Sequence, residues 1–450
     1  MKNRSITTIA AATLLAALCA AASPADAATG ISPARGFAPG QVIVKFDGQR
    51  FGRAVKLPLR VGVREAAAAL RRSPRVDYAV PNYIATASAK AALASSGIPN
   101  DPGTLPAGLG VPGGWVSKQW NFLPWEGTGT PELPVSPGGI DAVGAWRNLT
   151  LIGRPGARGV TIAVLDTGVA YRSFGKRFRR SPDFTAGQFA KGYDFVANNR
   201  LPLDRNGHGT HVAGTIAEKT DNGIGLVGLA YRAKLMPVRV LDAHGRGQAD
   251  DIARGIRYAT DRGADVINMS FNFGCGKQVP GVSEALHYAN HRGAVLVASI
   301  GNLGSETCVS PPATIPGVIG VGGTTEGGCL GGYSLAGKSI DVLAPGGGVP
   351  APGCPSVLSG SILQVTFKNG NTRRFAVPSN YVGTSMAAAH VSGVAAMVLA
   401  SRLIDRSPSA SSIQSQVATR LKRTARSIGL PATLQGAGLI DAARATDPGT

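Results

Sequence analysis

Val160-Thr161-Ile162-Ala163-Val164-Leu165-Asp166-Thr167-Gly168 is the stretch on which the fold turns. A nearly unbroken apolar, β-branched run ends on a carboxylate and a glycine. A strand of that composition is buried on both faces, which marks a parallel sheet covered by helices, not an antiparallel sheet with one wet face. The flanking chain repeats the theme. Helical signals begin at Val212 to Ala217 and run over Ala249 to Arg262 and Thr384 to Ile404, and strand signals cover Leu235 to Leu241, Asp265 to Met269 and Ala294 to Ser299. Strands alternating with helices predict an α/β domain over residues 140–450 built on a mostly parallel sheet.

Composition agrees. With 450 residues, 44% hydrophobic and 16% charged, the chain is too apolar for disorder and long enough for a sizeable core. Glycine supplies 61 residues without any Gly-X-Y period, so collagen is excluded. The net charge of +20 comes largely from scattered Arg, with one cluster at Lys176, Arg177, Arg179 and Arg180. No basic stripe with interleaved aromatics accompanies it, so nucleic acid is not expected as a partner. A solvated basic surface favouring acidic substrates or anionic surfaces is the reading.

Upstream, residues 40–87 read as a small α/β unit: a strand at Gln41 to Phe46, a helix at Glu65 to Arg72, and a strand at Val76 to Val80 ended by Pro81. Residues 88–113 are rich in Ala, Ser, Gly and Pro, a linker composition. Residues 1–27 carry the signature of an export signal. Lys2 and Arg4 precede a short apolar core, and Ala25-Asp26-Ala27 offers small residues for cleavage. Secretion is therefore expected, with no membrane anchor once the signal is removed. The small, apolar run Met386 to Ala400 is expected to be a core helix, because it contains His390 and Ser392. Without Cys19 four cysteines remain, Cys275, Cys308, Cys329 and Cys354, and an oxidising compartment favours two disulfides, with three pairings open.

Three glycine-rich strings carry the chemistry: Asp166-Thr167-Gly168 at a strand end, Asn206-Gly207-His208-Gly209-Thr210-His211 where a helix begins, and Gly383-Thr384-Ser385-Met386-Ala387 at the start of an apolar helix. On open parallel sheets, reacting groups gather outside the carboxyl ends of strands. A serine hydroxyl needs an imidazole to take its proton, and a carboxylate to hold that imidazole. A helix N-terminus beneath Ser385 adds partial positive charge where an oxyanion would form. Singly, each string has a plainer reading: a cap at Asp166, a metal pair at His208 and His211, an N-cap at Ser385. Together, on the right elements, they point to acyl transfer.

These strings resemble those of the subtilisin family of secreted serine proteases. The resemblance covers residues 140–445 and implies a subtilisin-like three-layer fold preceded by a small α/β propeptide domain. It assigns Asp166 as orienting acid, His208 as general base and acid, and Ser385 as nucleophile, in the chain order known for that family. Ala298-Ser299-Ile300-Gly301-Asn302 matches the family's strand–turn, making Asn302 an oxyanion donor. Ser270, Phe271, Asn272 and Gly301 take the substrate-binding positions, and Ile300 stands where the family has a small residue, narrowing the cleft. Residues 28–88 resemble the propeptide that assists folding and inhibits the enzyme, with a junction near Ser88, followed by an N-terminal arm over residues 89–139. No catalytic cofactor is implied. The loop Thr220 to Leu226 occupies the family's calcium loop, with Asn222 and Asp183 as ligands. The family fold brings the loops after Cys275 and Cys308 together, implying Cys275–Cys308 and hence Cys329–Cys354. Residues 352–380 are an insertion without an assigned role. The expectation is a monomeric, secreted, self-processed endopeptidase acting on protein and peptide substrates. Its pocket shows no acid to select basic side chains.

Overall fold

The computed structural model describes residues 37–49, 53–58, 61–83, 98–105, 111–127, 133–274, 276–302, 308–405, 407 and 412–450. The expected signal peptide, the junction near Ser88 and Cys275 lie outside these residues. The chain divides into two compact units, residues 1–90 and 91–450.

In the first unit, strands β1 (Phe37–Phe46), β2 (Arg53–Lys56) and β3 (Val76–Tyr83) form an antiparallel sheet of order β2-β1-β3. One helix, Val63–Arg71, buries Val63, Ala66, Ala67 and Leu70. That 3–4 spacing presents one apolar stripe, which meets the alternate strand residues Val42 and Val44. Pro81, expected to end its strand, instead lies within β3 opposite Val42. As an edge strand, β3 tolerates a residue without an N–H.

The second unit is built on seven parallel strands: β4 (Thr161–Asp166), β5 (Tyr193–Asp194), β6 (Lys234–Arg239), β7 (Val266–Met269), β8 (Val295–Ser299), β9 (Ile319–Thr324) and β10 (Val342–Pro345). Their order is β10-β9-β8-β7-β4-β6-β5, and every pairing is parallel. The α/β fold is as expected. β4 pairs with β6 on one side and β7 on the other, so the strand order reverses there and a crevice opens at its carboxyl end. Asp166 is the last residue of β4. Leu165 pairs with Met269 and Met269 with Ala298, which carries Ser270 and Ser299 to the same edge.

Beneath this sheet runs the helix Thr384–Ala400, in which every residue except Ser385 is buried. It is a core helix; among the described residues no helix is long and apolar enough to cross a membrane. The segment read as an arm is embedded too. Trp115, Trp120 and Phe122 join the main core, where Trp146 stacks edge-on with Trp115 at 5.8 Å and with Phe122 at 6.2 Å. Each indole N–H finds a carbonyl, from Trp115 to Pro99, Trp120 to Ser361 and Trp146 to Leu229, which is what makes burying these rings favourable. Residues 366–376 fold into a hairpin of β11 (Thr366–Lys368) and β12 (Asn371–Ala376). Cys329 and Cys354 form a disulfide, and Cys308 is disulfide-bonded.

The helix His208–Ala217 touches the end of β4 so closely that only glycine fits at position 209. A Cβ there would stand 2.1 Å from the Gly168 carbonyl oxygen and 3.0 Å from Asp166 Oδ1. Gly209→Ala is expected to destabilise by about 1–3 kcal/mol, as overpacking does. Gly281→Ala, where a Cβ meets nothing within 4 Å, is expected to cost nothing. Thermal inactivation midpoints of the two variants check this.

Candidate active site

The carboxyl edge of the sheet gathers the expected residues one by one. Asp166 is fully buried and accepts the N–H of Thr167 at 2.7 Å. Its two oxygens lie 2.8 and 3.0 Å from His208 Nδ1. The His208 side chain is 27% exposed while that of Asp166 is fully hidden, so the imidazole presents its other edge to the crevice. Burial works to lower the His208 pKa, but the charge and hydrogen bond of Asp166, with the charge of Asp204 behind them, prevail and leave it raised above 6.5.

The loop leading into His208 is organised by a residue that the sequence reading passed over. Asp204 is buried and accepts five hydrogen bonds: from Thr167 Oγ1 (2.9 Å), the N–H groups of Asn206 (2.9 Å), Gly207 (3.0 Å) and Thr210 (3.0 Å), and Thr210 Oγ1 (2.6 Å). It ties the β4 end to the turn and first helical residues around His208. Burial nevertheless holds its pKa above the ordinary carboxylate value. Only the turn signal Asp204-Arg205-Asn206-Gly207 could have flagged it. The alternative of a metal pair at His208 and His211 is not formed. His211 is buried, stacks on Tyr381 at 4.0 Å and points Nε2 at the Ile362 carbonyl oxygen (3.0 Å).

Ser385 is the second residue of the buried helix Thr384–Ala400. Its Oγ donates to the Ser270 carbonyl oxygen at 3.0 Å, and Ser270 Oγ donates back to the Ser385 carbonyl oxygen at 2.9 Å. Among the described residues no hydrogen bond joins Ser385 Oγ to His208. Gly383 enters the helix at φ 138°, and a Cβ on it would press within 3.0 Å of Asn302 Nδ2. Around this N-terminus the donors are nearly all assigned. Thr384 N–H and Thr384 Oγ1 face Asn302 Oδ1 (2.8 and 2.9 Å), and Met386 and Ala387 N–H reach the Gly383 carbonyl. The Thr384 amide fixes which end of the Asn302 side chain is oxygen. What remains without a partner among the described residues is the Ser385 N–H and Asn302 Nδ2, two donors at one helix N-terminus.

Beside them, the segment after β7 supplies Phe271, which is buried and edge-on to Phe273 at 6.2 Å, and Asn272, which is exposed and has no described partner for its backbone N–H or carbonyl. A Cβ on Gly301 would meet Leu335 at 2.8 Å and Asn272 Nδ2 at 3.6 Å. Ile300, expected to narrow the cleft, is instead fully buried in the main core, because the residue just after a strand end still points into the sheet's packed face.

Asp183 and Asn222 also come together. Asp183 is buried and accepts from Asn222 Nδ2 (2.8 Å) and Leu226 N–H (3.0 Å). Asp101 stands nearby, receiving the N–H of Asp221 (2.6 Å) and Asn222 (3.2 Å), and Glu218 is buried with no hydrogen bond to either oxygen within 3.5 Å among the described residues. Burial first, and mutual repulsion second, push Asp183 and Glu218 well above normal, and burial lifts Asp101 to about 7. Among the described residues no group of three or more His, Cys, Asp or Glu stands in metal-holding geometry. Yet hard oxygen donors with an uncommitted buried carboxylate suit a hard cation by their chemistry.

Residues 157–438 match the profile of the subtilase family, peptidase S8. The thermophilic serine proteinase of Bacillus sp. strain AK1 is 35% identical over 341 residues, spanning 76% of this chain and 67% of that protein. Thermitase of Thermoactinomyces vulgaris is 36% identical over 287 residues, spanning 64% of this chain and 88% of its own length. Among solved structures, a protease from Pseudoalteromonas arctica superposes with a TM-score of 0.60 at 30% identity, covering 78% of this chain and 98% of that one.

Proposed function

Belonging to the subtilase family, the chain is a serine endopeptidase that acts on protein substrates, and we propose that Ser385, His208, Asp166 and Asn302 carry its reaction. Two donors without a partner among the described residues, Ser385 N–H and Asn302 Nδ2, beside a hydroxyl at a helix N-terminus are the observation behind this reading. Ser385 Oγ leaves the Ser270 carbonyl, turns toward His208 and gives up its proton to Nε2 as it attacks the substrate carbonyl carbon. Asp166 holds the Nδ1–H and stabilises the imidazolium. The two donors receive the oxyanion, worth about 10²–10³-fold per donor in subtilisin itself. His208 returns the proton to the leaving amine, and water then resolves the acyl-enzyme by the same route. Asn272 offers its free N–H and carbonyl to an extended substrate, as in strand addition. Leu335 and Asn272 are the side chains nearest Gly301, which supports an apolar or broad preference in the pocket.

Residues 1–27 act as the export signal and residues 28–88 as a folding aid and inhibitor removed by self-cleavage near Ser88, releasing a secreted, monomeric enzyme that attacks extracellular proteins. The small core of the first unit, one helix on three strands, suits a segment that needs no lasting stability of its own. No cofactor serves the chemistry. Calcium, held by Asp183, Asn222 and carbonyls of residues 220–226, supplies the positive charge that the buried carboxylates otherwise lack.

Treatment of the secreted protein with a fluorophosphonate, followed by intact mass, is expected to show one adduct on a chain starting near residue 88, and none in Ser385→Ala. An unlabelled chain that still carries residues 28–87 after activation would instead indicate a silent binding module. The acid limb of kcat/KM is expected to have its midpoint above pH 6.5, since protonated His208 cannot accept the Ser385 proton; Asp166→Asn should move that midpoint down. Millimolar calcium should raise the thermal inactivation midpoint by about 5–10 °C over a chelator, given roughly 2.7 kcal/mol at a hundredfold excess over Kd. Asp183→Asn should remove that rise. Without calcium, stability held by protonated carboxyls is lost as pH rises through about 7, so the calcium effect should be larger at alkaline pH.

A further inference from the structure

Two features with no assigned role meet in the fold: the basic cluster at residues 176–180 and the insertion at 352–380. Arg179 N–H donates to the Thr372 carbonyl oxygen (3.0 Å), and Thr372 Oγ1 donates to that of Arg177 (2.6 Å), fastening the basic loop to β12. Beside this seam lies an open cavity of about 900 Å³. Lys118, Arg179, Arg180, Lys368 and Arg373 line it, all exposed, and none forms an ion pair with a described residue. No Asp or Glu is among the lining residues. Between the cations the wall is apolar, with half-buried Ile224, Leu363 and Phe375. Like charges facing one concavity focus a positive potential into it, which favours an anionic occupant.

The same hairpin reaches the candidate active site. Thr366 Oγ1 donates to the Gly207 carbonyl oxygen (2.6 Å), one residue before His208, and the chain leaving β12 passes through Tyr381 to Ser385. We propose that this cavity is an exosite for an acidic segment of the polypeptide being cleaved, engaged outside the residues around the scissile bond. The proposal rests on the endopeptidase reading. The mixed lining favours a peptide, which carries carboxylates and apolar side chains together, over a sulfated polysaccharide or a nucleic acid. Phe375 is half-buried and tilted against Phe367 at 5.5 Å, and it is the only aromatic residue among the described residues lining the cavity, where a base-stacking groove would present several. Because the contact is remote from the reacting atoms and made equally in ground and transition states, it acts on KM and leaves kcat alone.

Two fluorogenic peptides identical across the cleaved bond, one extended by a run of Glu and one by a run of Gln, test it on protein produced from the full chain, with tails placed at either end in turn. The Glu tail is expected to lower KM by about fivefold at low salt, the sum of several exposed ion pairs, with kcat unchanged. That gain should vanish near 0.5 M salt, where screening shortens to a few ångströms. It should also vanish in Arg179→Ala/Arg373→Ala, which should cleave the untailed peptide like the parent. Anisotropy of a labelled Glu-tailed peptide on Ser385→Ala protein reads the cavity without turnover, so failure of the peptidase and failure of the exosite are told apart. Equal KM and equal binding for Glu and Gln tails would overturn the proposal, as would a Glu preference that survives the double substitution. A sulfated oligosaccharide that binds through Arg179 and Arg373 while the Glu tail gains nothing would overturn it in favour of that class of ligand.

Discussion

One helix that is hidden from water everywhere except at its second residue sets the geometry of this protein. The run from Thr384 to Ala400 is small and apolar on all sides, so the sheet and its neighbours close around it completely. Its N-terminus, with the unassigned Ser385 N–H, is thereby pinned at the carboxyl edge of β7 and β8, facing Ser270 and Asn302. A serine on a loop could drift; this one is held by the packing of Val391, Val394 and Val398, each fully buried and each worth about 1.5–3 kcal/mol of burial. Preorganised donors cost nothing to align when charge develops, and here the core bears that cost in advance.

Opposite the serine, the fold uses buried carboxylates as fasteners. Asp166 and Asp204 are both hidden, and both are hydrogen-bonded to the backbone or side chains around the helix entry. Asp204 brings the β4 end and the His208 turn to one point, and the Gly209 contact lets them close. The carboxylates around residues 218–226 are different. Asp101, Asp183 and Glu218 crowd together in buried surroundings, and burial with mutual repulsion raises their pKa values despite the opposing charge of Lys219 near Asp183. Charge is distributed unevenly: buried acids gather around residues 218–226, while the cavity is lined by exposed bases that form no ion pair with a described residue. An ion and an acidic ligand are complementary answers to the two.

The segment 352–380 links these regions. Its hairpin borders the basic cavity, its strand β11 bonds to the residue preceding His208, and the preceding segment gives its Ile362 carbonyl to His211. An exosite of the proposed kind would be most useful where it could alter which substrates dwell beside the reacting groups without moving those groups. Residues 366–381 occupy such a position.

The parallel sheet and the placing of Asp166, His208 and Ser385 at its carboxyl edge were legible in the sequence by itself, while Asn302 reads there as a plain turn until the family resemblance is brought in. Strand β4 announced double-sided burial through its unbroken apolar run, and the strings around His208 and Ser385 bear residue types whose chemistry is coherent only together. Those signals are local, since periodicity and turn residues act over a few neighbours. The tertiary structure alone decided the rest. Asp204 reads as a turn residue until Thr167, distant in sequence, donates to it. Ile300 reads as a cleft residue until the packed face of the sheet claims it, and Pro81 reads as a strand end until the sheet order places it on an edge. The basic cluster and the insertion lie nearly two hundred residues apart, joined by bonds such as that from Arg179 to Thr372. Long-range contacts of this kind leave no periodic trace along the chain, so a cavity assembled from them becomes visible only when the chain has folded.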